Sequence, residues 1–384
     1  MMKSLAACAA ALLLAACASG PPPGGALVPA PGIQAAAAQH TILVATTRVP
    51  VAGGDMFSAD RAGTGTIAHA EITVAIPPTH EPGFIQWPGK APGDPALSFT
   101  TAARDYLAQS AFDSALDAAL TTRAPADRDV LLFVHGYNTR FDEAVYRLAQ
   151  FVHDGRYPGV PALFSFPSEG SLLGYVYDRD SAMASRDGLE ETIRQIAAAP
   201  HLRRLNILCH SVGCLLTMET LRQAKIGGDA TFGGKLGDIV MASPDIDVAV
   251  FRSQLRRLGG RMPAPTTIFI ATDDGALGIA SAISGDQPRL GDYDQAASFA
   301  DTGITVVDLT RLEAGATGMM GHDKVFASEG IAQIVGAEIG RGNRFGKNAP
   351  RAGDRIASQI RQLGSSLGES VRSVLSVITL SPGR

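Results

Sequence analysis

Eight residues constrain this chain more than any others: Asn206-Ile207-Leu208-Cys209-His210-Ser211-Val212-Gly213. They are followed without a linker by Cys214-Leu215-Leu216-Thr217-Met218-Glu219-Thr220-Leu221. A short apolar strand runs into a serine, and an amphipathic helix leaves it at once. The turn between them must be sharp and must lift the serine hydroxyl above the strand end, the geometry of a nucleophile elbow. Such a turn opens Ser211 to a histidine from elsewhere in the chain. It also sets the Val212 amide at a helix N-terminus, facing the place where an oxyanion would develop. The plainer reading of Ser211 is a helix N-cap; the preceding strand and Gly213 argue for the elbow.

Around this junction apolar strands alternate with amphipathic helices. Strands are expected at residues 41–47, 67–76, 130–134, 161–166, 205–209, 238–242, 266–271 and 304–309. Helices are expected at 111–120, 141–152, 180–199, 212–224, 248–258 and 329–339. Continuous apolar strands separated by helices imply an α/β fold, with a mostly parallel central sheet and helices on both faces. Residues 77–95, rich in Pro and Gly and holding Trp87, read as an ordered loop or a lid. No internal repeat is visible.

Composition adds boundaries. The net charge of −4 and the scattered basic residues give no reason to expect a nucleic-acid partner. Residues 1–17 have a weakly basic start and a short apolar core, and end in Leu14-Ala15-Ala16-Cys17. That pattern resembles the bacterial lipobox, in which the cysteine is acylated; a plain secretory signal is the alternative. Acylation at Cys17, with no aspartate following it, implies a lipid-anchored protein of the cell envelope, on the periplasmic face of the outer membrane if the cell is Gram-negative. Residues 18–39, almost all Pro, Gly and Ala, then read as a tether. The catalytic domain would span 40–340, and 341–384 would be a tail that is helical, disordered or a partner surface. Beyond Cys8 and Cys17 only Cys209 and Cys214 remain. A strand end and a first helical turn are a poor geometry for converging Cβ atoms, so both read as free, buried apolar residues. No metal-ligand spacing and no cofactor motif appears.

Nucleophilic hydrolysis needs a base held in one tautomer and donors for the oxyanion, and on a strand-elbow-helix scaffold the chain order is Ser, acid, His. His322, in Gly318-Met319-Met320-Gly321-His322-Asp323, is the one histidine downstream of the elbow. His40, His69, His80, His153 and His201 read as surface or upstream residues, and His210 points away from the reaction. Three aspartates compete for the acid, in the order Asp274, Asp273, Asp245: the first two follow the strand at 266–271, the third follows the strand at 238–242. Leu131-Leu132-Phe133-Val134-His135-Gly136-Tyr137-Asn138 supplies the second oxyanion donor. Gly136 lets the backbone turn inward, the amide of Tyr137 joins that of Val212, and His135 bonds nearby backbone.

His135-Gly136-Tyr137-Asn138, Phe164-Ser165-Phe166-Pro167-Ser168, Ser181-Ala182-Met183-Ala184-Ser185-Arg186, His210-Ser211-Val212-Gly213, Ala242-Ser243-Pro244-Asp245-Ile246-Asp247 and Thr272-Asp273-Asp274-Gly275-Ala276-Leu277 carry a resemblance. Together they resemble a bacterial α/β-hydrolase family, esterase- or lipase-like and of unknown function. Phe166 stands where tryptophan is common, and Cys209 where Gly or Ala is common; neither removes a reacting group. The resemblance implies an α/β-hydrolase fold and says little about substrate. Two function classes remain. One is a cofactor-free serine hydrolase cleaving small-molecule or lipid esters through an acyl-enzyme on Ser211. The other is a catalytically idle hydrolase-fold lipoprotein that binds or scaffolds in the envelope. Oligomeric state, acyl chain length and the choice among ester, thioester and amide stay open.

Overall fold

The computed structural model describes residues 24–293, 299, 302–312, 321–339, 355, 356 and 358–360. The leader with Cys8 and Cys17, residues 313–320 and most of the tail lie outside the described residues. A nine-stranded sheet runs in the order β11-β10-β9-β8-β6-β7-β1-β4-β5. Its strands are β1 (Ala38–Thr46), β4 (Ala68–Ile76), β5 (Thr100–Leu107), β6 (Asp129–Val134), β7 (Val160–Ser165), β8 (Arg204–His210), β9 (Leu236–Ala242), β10 (Thr266–Ile270) and β11 (Ile304–Asp308). A separate ribbon pairs β2 (Arg48–Pro50) with β3 (Phe57–Arg61).

From β11 to β1 every pairing is parallel; β4 and β5 close the sheet with antiparallel pairs. The helices are α1 (Gln109–Thr121), α2 (Phe141–Asp154), α3 (Tyr175–Ala184), α4 (Arg186–Ala197), α5 (Val212–Ile226), α6 (Val248–Arg257), α7 (Gly275–Ile283), α8 (Lys324–Ala327) and α9 (Glu329–Glu338).

Successive strand side chains point to opposite faces, and both faces are packed. Val130, Leu132 and Val134 of β6 join Ile207 and Cys209 of β8 in a core under α1, α4, α5 and α6. Leu131, Phe133 and Leu208 face the other way, into a core shared with α2, α8 and α9. Burial on both sides explains why these strands read as unbroken apolar runs rather than alternating ones.

The structure departs from the sequence reading at several places, the β2–β3 ribbon and α8 among them. The helix expected at 180–199 is two, α3 and α4, broken at Ser185 (φ −90°, ψ 0°), whose hydroxyl bonds back to the Ser181 carbonyl at 2.7 Å. Such back-bonding by serine competes with helix continuation. Strand β5 and helix α7 were not foreseen: β5 is Thr/Ala-rich with the adjacent charges Arg104 and Asp105, and α7 is a Gly- and Ala-rich run. Part of the stretch read as a tether packs on the domain. Leu27 is fully buried, and the Ala26 carbonyl accepts from the hydroxyls of Tyr146 (2.6 Å) and Thr101 (3.1 Å). In the tail, Ile356 and Ile360 are buried, and Arg355 and Gln359 bond Glu338. Residues 77–99 form an ordered loop without regular structure. His80 bonds Asp154 at 2.6 Å and Trp87 stacks on Tyr146 at 5.1 Å, which fastens this loop to α2.

Arg48, just past β1, is a hub that sequence reasoning did not single out. It is almost fully buried, and its guanidinium donates to the Ser165 hydroxyl (3.0 Å) and to the carbonyls of Ser58 (3.2 Å), Ser168 (3.1 Å) and Thr139 (3.0 Å). Burial lowers its pKa to about 10, so it keeps its charge at neutral pH. One side chain thus ties the β2–β3 ribbon to the loops that follow β6 and β7. Arg48→Met should leave these buried acceptors unpaired and lower the unfolding free energy by about 3 kcal/mol or more in denaturant titration.

Candidate active site

Parallel pairing aligns the C-terminal strand ends, where open α/β sheets present their sites. In the register, Val134 of β6 pairs with Cys209 of β8, and His210 pairs with Ala242 of β9. The residues after these strands therefore share one edge: His135–Tyr137, Ser211 and Ser243–Asp245, joined by the loop after β10.

Ser211 has φ 52° and ψ −124° between β8 and α5. A non-glycine residue there is strained by roughly 1–3 kcal/mol and persists only where its surroundings hold it. Its amide donates to the Ala242 carbonyl at 3.1 Å, and its carbonyl accepts from the amides of Cys214 (3.0 Å) and Asp245 (3.2 Å). Two glycines permit the approach of the neighbouring backbone. A Cβ on Gly136 would lie 2.9 Å from the Ser211 Cβ and 2.8 Å from the His210 ring, and a Cβ on Gly213 would drive into the His135 carbonyl.

The expectation of two free cysteines is overturned. Cys209 and Cys214 form a disulfide, with their Cα atoms 4.9 Å apart. Cys209 points to the sheet face that α5 covers, and the positive φ at Ser211 folds the first turn of α5 back over that same face. The two Cβ atoms converge for that reason. The ring they close contains the serine.

The loop after β6 is braced on both sides. His135 Nδ1 lies 2.8 Å from the Gly136 carbonyl and Nε2 lies 2.9 Å from the Ser165 hydroxyl, the same hydroxyl that accepts from Arg48. Burial, followed by the Arg48 charge, holds the His135 pKa down to about 3, so the ring is neutral. Nε2 also lies 3.1 Å from the Phe166 carbonyl, so the neutral ring bridges the backbone after β6 to that after β7. Asp178 accepts from the Asn138 amide (2.8 Å), the Ser168 hydroxyl (2.6 Å) and the Glu169 amide (2.9 Å). The Tyr137 amide lies on this braced loop, and Val212 opens α5, where first-turn amides lack intrahelical acceptors.

The three candidate aspartates sort by partner. Asp274 Oδ2 lies 2.7 Å from His322 Nδ1, while its Oδ1 caps α7 by accepting from the amides of Ala276 and Leu277, both at 3.1 Å. Asp273 is taken by Lys324, at 2.7 Å, whose ammonium also donates to the carbonyls of Leu309 and Thr310. Asp245 accepts from the Tyr175 hydroxyl at 2.9 Å and faces Arg289 across 3.4 Å.

Burial alone pushes the His322 imidazole down. The charge and hydrogen bond of Asp274, with the charges of Asp323 and Asp245, outweigh it and leave the pKa raised. The His322 carbonyl accepts from the Ser243 hydroxyl at 3.0 Å and faces His210 Nε2 at 3.4 Å. Burial, and then the neighbouring His322, hold His210 at about 4, so it stays neutral beside the reactive ring. Ser243 and His210 thus hold the His322 backbone in place, a role not foreseen for either; only their adjacency to the strand ends could have signalled it.

Ser211, His322 and Asp245 line one cavity of about 40 Å³ with Tyr137, Leu172, Tyr175 and residues of α7. Neither the Ser211 hydroxyl nor His322 Nε2 has a hydrogen-bond partner among the described residues. Leu172 and Tyr175 bring the segment after β7 to this cavity, and residues 77–95, read from sequence as a loop or a lid, do not line it. No group of three His, Cys, Asp or Glu side chains among the described residues could hold a metal ion.

A model of the family described as "Alpha/beta hydrolase of unknown function (DUF900)" matches residues 108–338. The span includes the elbow, the braced loop, Asp274 and His322. No curated protein sequence matches the chain. Among solved structures, lipase B of Aspergillus fumigatus is 16% identical with a TM-score of 0.39, the alignment covering 80% of this chain and 76% of that one. An esterase of Pyrobaculum calidifontis is 10% identical with a TM-score of 0.34, covering 79% of this chain and 86% of that one. At such TM-scores these likenesses carry no argument; the sheet order and the family match establish the α/β-hydrolase fold.

Three outcomes test this geometry without reference to activity. By NMR, His322 should titrate above the ordinary histidine value; Asp274→Asn should bring it down, and Asp273→Asn should leave it nearly unmoved. Replacing both Cys209 and Cys214 with Ala should cost about 2 kcal/mol of stability, the loop-closure value for a ring this small. A non-reduced sample should show no free thiol from either cysteine.

Proposed function

Because the chain belongs to the α/β-hydrolase family of unknown function that residues 108–338 match, we propose that it is a serine hydrolase cleaving carboxylic esters. The observation that carries this reading is a strained serine at an elbow, sharing a cavity with a histidine whose far nitrogen is held by a buried aspartate. Ser211 is the nucleophile, His322 the general base and Asp274 the residue that fixes its tautomer; the amides of Tyr137 and Val212 form the oxyanion hole.

The Ser211 oxygen attacks the ester carbonyl as its proton passes to His322 Nε2. The carbonyl π pair moves onto oxygen, where the two amides meet it. Collapse breaks the bond to the alcohol, which leaves with the proton from His322. Water, deprotonated by the same nitrogen, then attacks the acyl-enzyme, and Ser211 regains its proton as the acid departs. Asp274 keeps Nδ1 protonated, so Nε2 is the nitrogen with a lone pair.

The same proposal places the protein in the cell envelope, lipid-anchored through Cys17. The Cys209–Cys214 disulfide supports an oxidising compartment. No helix among the described residues is long and apolar enough to cross a membrane.

A fluorophosphonate probe should label Ser211, and Ser211→Ala or His322→Ala should lower turnover of short-chain p-nitrophenyl esters by about 10⁴-fold or more with the fold intact. Since His322 works as the neutral base and its pKa is raised, kcat/KM should fall as pH drops through a value above that of an ordinary histidine. In Asp274→Asn that acid limb should move to lower pH, with a loss of roughly 10³- to 10⁴-fold. An unlabelled Ser211 with no ester turnover would instead favour an idle scaffold.

A further inference from the structure

An aliphatic surface open to water surrounds the cavity that holds Ser211. Ala276, Ile279, Ala280 and Ile283 all line that cavity. Their spacing is i, i+3, i+4 and i+7, which is one face of a helix. A surface helix normally turns its apolar stripe to the core, yet in α7 only Leu277 and Ala280 are buried, while Ile279 and Ile283 remain 53% and 58% exposed. Residues 275–283 contain no charged side chain.

Leu172 also lines the cavity, and its neighbours Leu173 and Val176 are 97% and 64% exposed. Scattered exposed aliphatics are ordinary, but a run of them continuous with a cavity marks a binding groove. Among the described residues no Lys or Arg lines the cavity, and Asp245 already faces Arg289. Nothing there would offset the charge of an anionic chain.

We propose that the cleft between α7 and residues 172–176 binds the aliphatic acyl chain of the ester, laid across Leu172, Leu173, Ile279 and Ile283. The inference rests on Ser211 being the nucleophile, because an acyl carbon bonded to that oxygen fixes where its chain begins. A cavity of about 40 Å³ holds roughly three water-sized groups. A chain of more than a few carbons must therefore leave the cavity, and the walls by which it leaves are these side chains. The preferred substrates are esters of neutral, unbranched acids with medium-length chains, rather than acetate-sized ones.

The test is the chain-length profile of kcat/KM from p-nitrophenyl acetate to octanoate, for the full chain and for Ile279→Ser/Ile283→Ser and Leu173→Ser. Each methylene taken from water into the cleft should raise kcat/KM of the unaltered protein by up to about fourfold. In the double variant the octanoate-to-acetate ratio should fall by at least about tenfold, with a smaller fall in Leu173→Ser. Circular dichroism and fluorophosphonate labelling of Ser211 report folding and the nucleophile separately.

With Ser211 labelled, parallel profiles in variant and parent, or a parent profile that is flat or falls with length, would overturn the acyl-chain assignment alone. Unchanged profiles with an altered oligomeric mass in the variants would give the surface to a second copy of the chain, and overturn it equally. If Ser211 is not labelled and no ester is turned over, the hydrolase reading fails, and this inference with it.

Discussion

Everything at the functional edge depends on how closely two backbones pass where β6 ends and α5 begins. The first turn of α5 lies against the His135 carbonyl with no room for a side chain at Gly213, and Gly136 comes equally near Ser211. That proximity lets one strand end present a serine while its neighbour presents a backbone amide. It also carries the cost of the strained serine, which the hydrogen bonds from Cys214 and Asp245 and to Ala242 hold in place. The disulfide belongs to the same constraint. Only a turn this tight brings positions five apart, on a strand and a helix, to within bonding distance.

A second level of organisation is electrostatic. Several carboxylates crowd one low-dielectric edge, where unpaired charge is costly, and each is assigned to a different counterpart. Lys324 takes Asp273, Arg289 and Tyr175 take Asp245, the loop after β6 takes Asp178, and the His322 ring is left to Asp274. Asp323, next in the chain to His322, has its own neighbours. Burial would push its pKa up, but the charges of Arg147, His210 and His322 pull it below the ordinary value.

The sequence made the central strands and the elbow legible because both are short-range patterns: continuous apolar runs, and a strand, serine and helix without a linker. The aspartate after β10 was legible by position. What chain order could not supply was partner choice. Asp273 and Asp274 are adjacent and chemically identical, and only the arrival of Lys324 from α8 separates them. Arg48 and His210 were hidden for a similar reason, since their roles lie in contacts with segments far along the chain. The disulfide was not legible because it depends on the positive φ at Ser211, which reverses the chain and which no residue type announces. Helix α7 was hidden by its glycines, and its start is marked chiefly by the Asp274 side chain that caps it.

That capping residue has a mechanical consequence. Asp274 gives one oxygen to the imidazole of His322 and the other to the amides that begin α7. The ring and the helix are therefore geared to a single pivot two bonds from the backbone. Any shift of the first turn of α7 is therefore transmitted to the His322 ring through one carboxylate, and helix and ring share a single hinge.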